Sequence, residues 1–143
     1  MKFFLDNCIA PVFAKVLNIL AERQGHLIVH LRDKFPANTI DPDWIRALAQ
    51  ESEEWIIVSG DPRISRGKAE RQAWQESRLT AFFFGDGWTS RSYWKQAEDI
   101  VHWWPRIVLE AEKAPRGKGF LIHLGGKDFQ VIYDPLAPSK TRR

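Results

Sequence analysis

Aspartates end three short apolar runs of this sequence, at Asp6, Asp33 and Asp61. Asp6 and Asp61 are the strongest candidates for chemistry, because a polar residue that abruptly ends a buried strand has no obvious packing value. Carboxylates gathered in one cleft repel one another and raise each other's pKa, unless a divalent cation neutralises them. Since oxygen ligands favour Mg²⁺ or Mn²⁺ over zinc, the sequence predicts a site for one of these two ions.

Two more acids, Asp41 and Asp43, stand at the expected start of a helix. Asp41 followed by Pro42 is typical of such a start, because aspartate caps helices and proline tolerates the first helical position. The side chains of Asp41 and Asp43 are roughly 200° apart around a helix, so we expect only one of them to face a shared cleft. We favour Asp43 as the ligand, because Asp41 is expected to act as the cap; Asp41 stays the alternative. Asp33 equally suits a simple turn.

The chain has one cysteine, Cys8. We expect a buried structural thiol, because no sequence signature of an activating base accompanies it. One cysteine cannot form an internal disulfide, and no apolar run approaches the roughly 20 residues that a membrane span requires. The apolar stretch after Met1 is interrupted at Asp6 and Asn7, before the core of a signal peptide could form. These features favour a cytoplasmic protein that has no membrane partner.

The apolar runs are separated by segments with helical periodicity. The runs lie at residues 2–5, 26–31, 55–59 and 81–84. This alternation predicts parallel strands joined by right-handed crossovers, which brings the carboxyl ends of the strands, and the aspartates that follow them, to one edge of a sheet. The predicted fold class is therefore α/β, with a mainly parallel central sheet of four or five strands flanked by helices.

The C-terminal half is less regular. Residues 120–124 and 129–133 are apolar and flank Gly125-Gly126, which predicts a hairpin or paired edge strands. Pro105 is expected to kink or restart a helix that ends near Lys113, since proline lacks the amide proton.

Composition indicates one ordinary folded domain: of 143 residues, 44% are hydrophobic and 27% are charged. We expect residues 1–134 to form it and residues 135–143 to be a basic, flexible tail. The net charge of +3 is too mild to establish a nucleic-acid partner. However, basic residues cluster between Arg63 and Arg71 and many acids lie in the first half. This separation suits an anionic substrate held beside a cation, and a mixed solvated surface is the alternative.

Seven tryptophans are present. Trp44, Trp94 and Trp104 fit apolar stripes and are expected to pack in the core. Trp74 and Trp88 lie near basic residues and a glycine-rich turn, which makes them candidates for stacking on the bases of single-stranded nucleic acid.

The order of these motifs resembles the PIN-like ribonucleases, and more closely the compact branch that contains VapC-type toxins. The resemblance covers about residues 3–64 and becomes general beyond them. It is carried by Phe4-Leu5-Asp6-Asn7 with Pro11 opening the first helix, Gly25-His26 through His30-Leu31-Arg32-Asp33, Asp41-Pro42-Asp43-Trp44-Ile45 and Ile57-Val58-Ser59-Gly60-Asp61.

The resemblance implies a three-layer PIN-like fold and a metal-dependent endoribonuclease that hydrolyses RNA phosphodiester bonds. It implies catalytic roles for Asp6, Asp43 and Asp61, which would hold Mg²⁺ or Mn²⁺ together with Asp33 and Asp41. Asn7 would support these ligands by hydrogen bonds. The residues implied to bind RNA are Arg32, Arg63, Arg66 and Lys68. A VapC-type toxin pairs with an antitoxin protein, so such a partner is implied as well, and a homodimer is left open.

One residue departs from the family pattern. Arg63 stands where relatives often carry a second acid after the strand. An acid at this position would bind the metal ion, whereas an arginine would hold a phosphate. The departure also favours an alternative function, a PIN-like module that binds RNA or protein without catalysis. A third reading, an aspartyl phosphotransferase with Asp6 as the nucleophile, fits less well, because Cys8 stands where a second acid is usual.

Overall fold

The computed structural model describes residues 1–137. The strands are β1 (Lys2–Leu5), β2 (Leu27–His30), β3 (Trp55–Ser59), β4 (Ala81–Phe84), β5 (Gly119–Ile122) and β6 (Phe129–Tyr133). They form one sheet in the order β2-β1-β3-β4-β5-β6, in which β1 to β5 are parallel and β6 runs antiparallel to β5. The α/β prediction and the C-terminal hairpin are confirmed. The sheet has six strands rather than four or five, because both C-terminal apolar runs join it.

Helices cover both faces of this sheet. They are α1 (Pro11–Leu20), α2 (Leu31–Lys34), α3 (Asp41–Ala49), α4 (Pro62–Arg66), α5 (Lys68–Ser77) and α6 (Tyr93–Lys113). Successive strand residues point to opposite faces. Phe3 packs in the cluster that includes α1 and α6, and its neighbour Phe4 packs in the cluster that includes α3 and α5. The result is a three-layer arrangement with a hydrophobic core on each side of the sheet.

Helix α6 continues through Pro105 to its end at Lys113. The predicted end is confirmed. Of the kink or restart expected at Pro105, the restart does not occur. The apolar side of the helix is buried on both sides of the proline, at Trp104 and Ile107, and this packing holds one continuous helix over the sheet.

The tryptophans divide differently from the sequence prediction. Trp44 and Trp104 are buried as expected, but Trp94 is 76% exposed. Both candidates for base stacking are buried, so that interpretation is wrong. The indole of Trp74 donates a 2.8 Å hydrogen bond to the carbonyl of Leu79, and Trp88 stacks on the ring of Phe84 inside the core.

Residues 138–143, which make up most of the predicted tail, lie outside the described part of the chain. Just before them, the chain turns at Asp134, whose carboxylate accepts a 3.0 Å hydrogen bond from the backbone of Leu136. Within residues 1–137, every helix is too short or too polar to cross a bilayer.

Candidate active site at the carboxyl edge of the sheet

The central strands β1 and β3 bring two distant aspartates together. The strands are parallel neighbours, and Leu5 lies opposite Val58. The next residues along the two strands are Asp6 and Ser59, and Asp61 follows two positions later. Ligand atoms of Asp6, Cys8 and Asp61 all lie within 4.8 Å of one another. The convergence expected for Asp6 and Asp61 is therefore present in the structure.

Asp6 is almost fully buried, with 2% of its surface exposed. Its Oδ1 accepts a 3.1 Å hydrogen bond from the backbone N–H of Cys8, and its Oδ2 accepts one from the hydroxyl of Ser59. The pKa of Asp6 is raised to about 7, mainly by burial; the hydrogen bond from Ser59 lowers it, and the negative charges of Asp41 and Asp61 raise it. Without a cation beside it, this carboxyl group holds its proton close to neutral pH.

Ser59 is the residue that connects the two aspartates. While its hydroxyl donates to Asp6, its Oγ accepts a 2.9 Å hydrogen bond from the backbone N–H of Asp61. Sequence reasoning missed this role. The available signal was that Ser59 is a hydroxyl at the buried end of the strand that leads to Asp61.

Asp61 caps α4 and binds Arg63 through both carboxylate oxygens. Oδ1 accepts from the backbone N–H of Arg63 at 2.9 Å, and the guanidinium donates to Oδ1 and Oδ2 over 2.9–3.2 Å. Burial of Asp61 opposes its ionisation, but the hydrogen bonds and charge of Arg63, together with a hydrogen bond from Asp41, lower the pKa of Asp61. Arg63 was expected to bind a phosphate. In the structure its guanidinium forms hydrogen bonds with Asp61.

At the start of α3, the structure brings Asp41 rather than Asp43 to the cleft. The N-cap of α3 is Ile40, so Asp41 is the first helical residue and the prediction that it caps the helix is wrong. Its Oδ1 instead accepts a 3.0 Å hydrogen bond from the indole of Trp44. Asp43 is exposed and absent from the described lining of the cleft, as expected for a side chain on another side of the helix.

Asp41 and Asp61 lie within hydrogen-bonding reach of each other. Burial raises the pKa of Asp41 to about 6, and the negative charge of Asp61 adds to the increase, although the hydrogen bond from Trp44 lowers it. Because Arg63 keeps Asp61 ionised, Asp41 is the partner that holds a shared proton. The cleft thus contains two carboxyl groups, Asp6 and Asp41, whose ionisation is suppressed.

Asp33 and Asn7 make structural contacts instead of the ones predicted for them. Asp33 is exposed in α2, where its carboxylate accepts a 3.4 Å hydrogen bond from the backbone of His30 and so closes a capping box. Asn7 lines the cleft, but it donates to the carbonyl of Ala37 at 2.7 Å and accepts from Arg32 at 3.2 Å. Asn7 therefore anchors the loop that borders the cleft rather than an aspartate.

Cys8 lies inside the acidic group and is half-buried. Burial and the charge of Asp6 raise the pKa of the Cys8 thiol to about 12, so the sulfur is uncharged at neutral pH. A neutral thiol is a poor nucleophile and a poor metal ligand. The expectation that Cys8 is unreactive agrees with this environment, although the residue lines the cleft instead of lying in the core.

These residues border a cleft of about 440 Å³. Its fourth carboxylate is Glu70 on α5, which sequence reasoning also missed because Glu70 stands alone among the basic residues between Arg63 and Arg71. Four carboxylates surround one opening: those of Asp6, Asp41, Asp61 and Glu70. Such a set of oxygen ligands fits a hard divalent cation. Arg66 and Lys68 are exposed nearby, outside the described lining of the cleft.

Comparison with known protein families gives a match. A family model described as a PIN-like domain matches residues 1–86, which contain β1 to β4 and every acid of the cleft. No curated protein and no solved structure shows significant similarity to the chain. Since the matched segment is more than half of the 143 residues, the chain belongs to the family of PIN-like domains.

Proposed function

We propose that this protein is a metal-dependent endoribonuclease that hydrolyses RNA phosphodiester bonds. The observation that carries the proposal is the convergence of Asp6, Asp41 and Asp61 on one cleft, with the pKa raised to about 7 for Asp6 and to about 6 for Asp41. A group of acids that suppress one another's ionisation is stabilised by a dication, which replaces the protons. Membership of the PIN-like family supports a nuclease.

The carboxylates of Asp6, Asp41 and Asp61 would hold Mg²⁺ or Mn²⁺, with Glu70 close enough to the opening to complete the set. When bound, such an ion supplies a Lewis acid for the scissile phosphate and lowers the pKa of its water. Ser59 fixes the orientation of Asp6 and of the Asp61 backbone. Cys8 remains a neutral neighbour and takes no part in the chemistry.

The RNA backbone would lie along the basic rim of this cleft. Arg66 and Lys68 are exposed just beyond the acids, and Arg32 is exposed on the other side of Asn7. Arg63 is placed to contact a phosphate as well, because its side chain is 71% exposed even while it binds Asp61. Arginine matches phosphate geometry through paired N–H donors, which supports this assignment.

Within the family, we place the protein in the compact VapC-type branch, as the toxin of a toxin–antitoxin pair that acts in the cytoplasm. The support is the order of motifs from Asp6 to Asp61. An antitoxin protein would then cover the acidic cleft. Production of the chain alone in a bacterial host should stop growth, and production of the Asp61→Asn variant should not. Normal growth with the active chain would contradict the toxin role.

The decisive experiment for the nuclease is a cleavage assay on structured and unstructured RNA with Mg²⁺, Mn²⁺ or EDTA. We expect cleavage with either ion, none with EDTA, and a loss of at least about a hundredfold in Asp6→Asn and Asp61→Asn. Asp128→Asn is the control, because Asp128 is exposed and pairs with Arg106, away from the cleft. Cleavage by Asp6→Asn at the rate of Asp128→Asn would refute the proposal.

A second candidate function is a PIN-like module that binds RNA or protein without catalysis. It is favoured by one observation, the paired hydrogen bonds by which the Arg63 guanidinium binds Asp61 and supplies a positive charge there. Titration with Mn²⁺ separates the two functions. An enzyme should bind Mn²⁺, and Arg63→Gln should bind it more tightly because a competing cation is gone. Absence of Mn²⁺ binding in both forms would favour the module.

A further inference from the structure

A second cavity, of about 300 Å³, opens at the same edge of the sheet, beyond α4. It is formed by the carboxyl ends of β4 and β5, by the end of α4 and by the first turn of α5. The strands contribute an apolar wall, with Phe83, Leu121 and Ile132, and the helices contribute the cations Arg66 and Arg71. Its volume is at the lower end of the range for small-ligand sites.

Arg71 is fixed in this wall without a carboxylate partner. Its Nη1 donates to the carbonyl of Ser65, and with the amide oxygen of Gln75 turned toward it, Nε and Nη2 donate to that oxygen at 3.0 and 3.2 Å. Among residues 1–137 no acid lies within ion-pair distance of Arg71. A half-buried guanidinium that has neutral partners keeps its charge uncompensated, so the cavity attracts an anion.

Arg66 at the mouth of the cavity is held only weakly. It forms a 2.8 Å ion pair with Asp86, and the two side chains are 63% and 84% exposed. Exposed ion pairs contribute little to stability, so an incoming phosphate can replace Asp86 at this arginine. Arg66 and Arg71 would then hold the phosphate from two sides.

Helix α4 sets the distance between this cavity and the acidic cleft. Asp61 is the N-cap of α4 and Arg66 is its last residue. Five residues of helix correspond to about 7.5 Å, so the cavity and the acidic cleft are close neighbours along the sheet edge. The apolar wall suits the face of a base, and the paired arginines suit its phosphate.

From this arrangement we infer that the cavity binds one nucleotide, with the phosphate between Arg66 and Arg71 and the base against Phe83, Leu121 and Ile132. Its place next to the scissile phosphate rests on the proposed function. The cavity would then select which base occupies the position beside the cleavage site.

Binding is tested by calorimetry with AMP, GMP, CMP and UMP in EDTA, next to inorganic phosphate and the four nucleosides. At least one monophosphate should bind more tightly than its nucleoside and than phosphate. Arg71→Gln and Arg66→Gln should each weaken it about tenfold, and Asp86→Asn should strengthen it. Arg23→Gln, an exposed arginine just after α1, should leave it unchanged and controls for overall charge.

If Arg71→Gln fails to fold, Arg66→Gln carries the test, because Arg66 is exposed. The inference is overturned if none of the four monophosphates binds, or if neither arginine variant changes their affinity. RNA cleavage by the unmodified chain is measured separately. If the chain cleaves RNA and the bound nucleotide inhibits this cleavage, the cavity is part of the RNA-binding site. If it binds nucleotide through Arg71 without cleaving RNA, the nuclease proposal fails while the cavity remains a site for free nucleotides.

Discussion

Ser59 and Asp6, 53 residues apart in the chain, are joined by a hydrogen bond from the serine hydroxyl to the buried carboxylate. The same hydroxyl oxygen accepts the backbone N–H of Asp61 at 2.9 Å. One uncharged side chain thus sets the position of two acids that come from different strands. Because this contact is fully buried, its geometry depends on the register between β1 and β3 and not on solvent.

Replacement of Ser59 by alanine should show whether Ser59 positions the two aspartates for cleavage or only stabilises the fold. We expect Ser59→Ala to lower RNA cleavage at least about tenfold and the free energy of unfolding by about 1–3 kcal/mol, since Asp6 and the Asp61 N–H both lose a buried partner. Cleavage kinetics and urea unfolding measure the two effects.

Ser77→Ala is the matched control. The Ser77 hydroxyl is also buried; it donates to the carbonyl of Trp74 at 2.5 Å and accepts from the backbone of Leu79 at 3.1 Å, outside the lining of the cleft. We expect Ser77→Ala to lose about as much stability as Ser59→Ala, while its RNA cleavage stays unchanged. An equal loss of cleavage in both variants would mean that Ser59 acts through general stability.

Asn substitutions at Asp41 and Asp43 should distinguish the two acids at the start of α3. Asp41 lines the cleft and contacts Asp61, so Asp41→Asn should reduce cleavage and Mn²⁺ affinity by about tenfold or more. Asp43 is exposed, so Asp43→Asn should stay within about twofold of the unmodified chain. A larger loss in Asp43→Asn than in Asp41→Asn would restore the assignment first made from the sequence.

The stability of the metal-free protein should fall as pH rises from 5 to 8. The folded state raises the pKa of Asp6 to about 7 from its ordinary 3.8, mainly through burial. Between these values the folded chain holds a proton that the unfolded chain releases, so each step upward in pH favours unfolding until about pH 7. The expected decrease in unfolding free energy is on the order of 3 kcal/mol.

Urea unfolding in EDTA at several pH values measures this decrease. Asp6→Asn should show a smaller one, because its amide does not titrate; the remaining decrease comes from Asp41, whose pKa is also raised, to about 6. Burial lowers the pKa of His30, so the titration of His30 makes the folded state more stable as pH rises. This contribution is the same in both forms and cancels when their pH profiles are compared. Identical pH profiles for the two forms would exclude Asp6 as the titrating group.

Gly60 should not tolerate a side chain. A Cβ at this position would lie 2.6 Å from Nε1 of Trp88, the atom that donates a 2.8 Å hydrogen bond to the carbonyl of Cys8. Gly60→Ala should therefore displace the indole, lower the free energy of unfolding by about 1–3 kcal/mol and reduce cleavage, since the loops after β1 and β3 both rest on Trp88.

Trp88→Phe tests the same contact from the other side. It removes the hydrogen bond to Cys8 and leaves more room above Gly60. Combined with Gly60→Ala, it should lose less stability than the sum of the two single changes, as measured by urea unfolding. Additive losses would mean that Gly60 and Trp88 do not meet as described.

The sequence by itself determined the alternation of strands and helices, and with it the meeting of Asp6 and Asp61. Apolar runs and helical periodicity are local properties, and parallel strands joined by crossovers place their carboxyl ends together wherever the remaining residues lie. For the same reason the hairpin around Gly125-Gly126 could be predicted.

Only the tertiary structure decided which other side chains reach the cleft. Asp41 rather than Asp43 faces Asp61 because the rotation of α3 is set by burial of Trp44 and Ile45. The hydrogen bonds between Arg63 and Asp61 depend on how α4 packs against the sheet edge. The position of Glu70 in the cleft likewise depends on the packing of α5. Such contacts join residues whose separation in the chain carries no periodic signal, so they follow from packing and not from spacing.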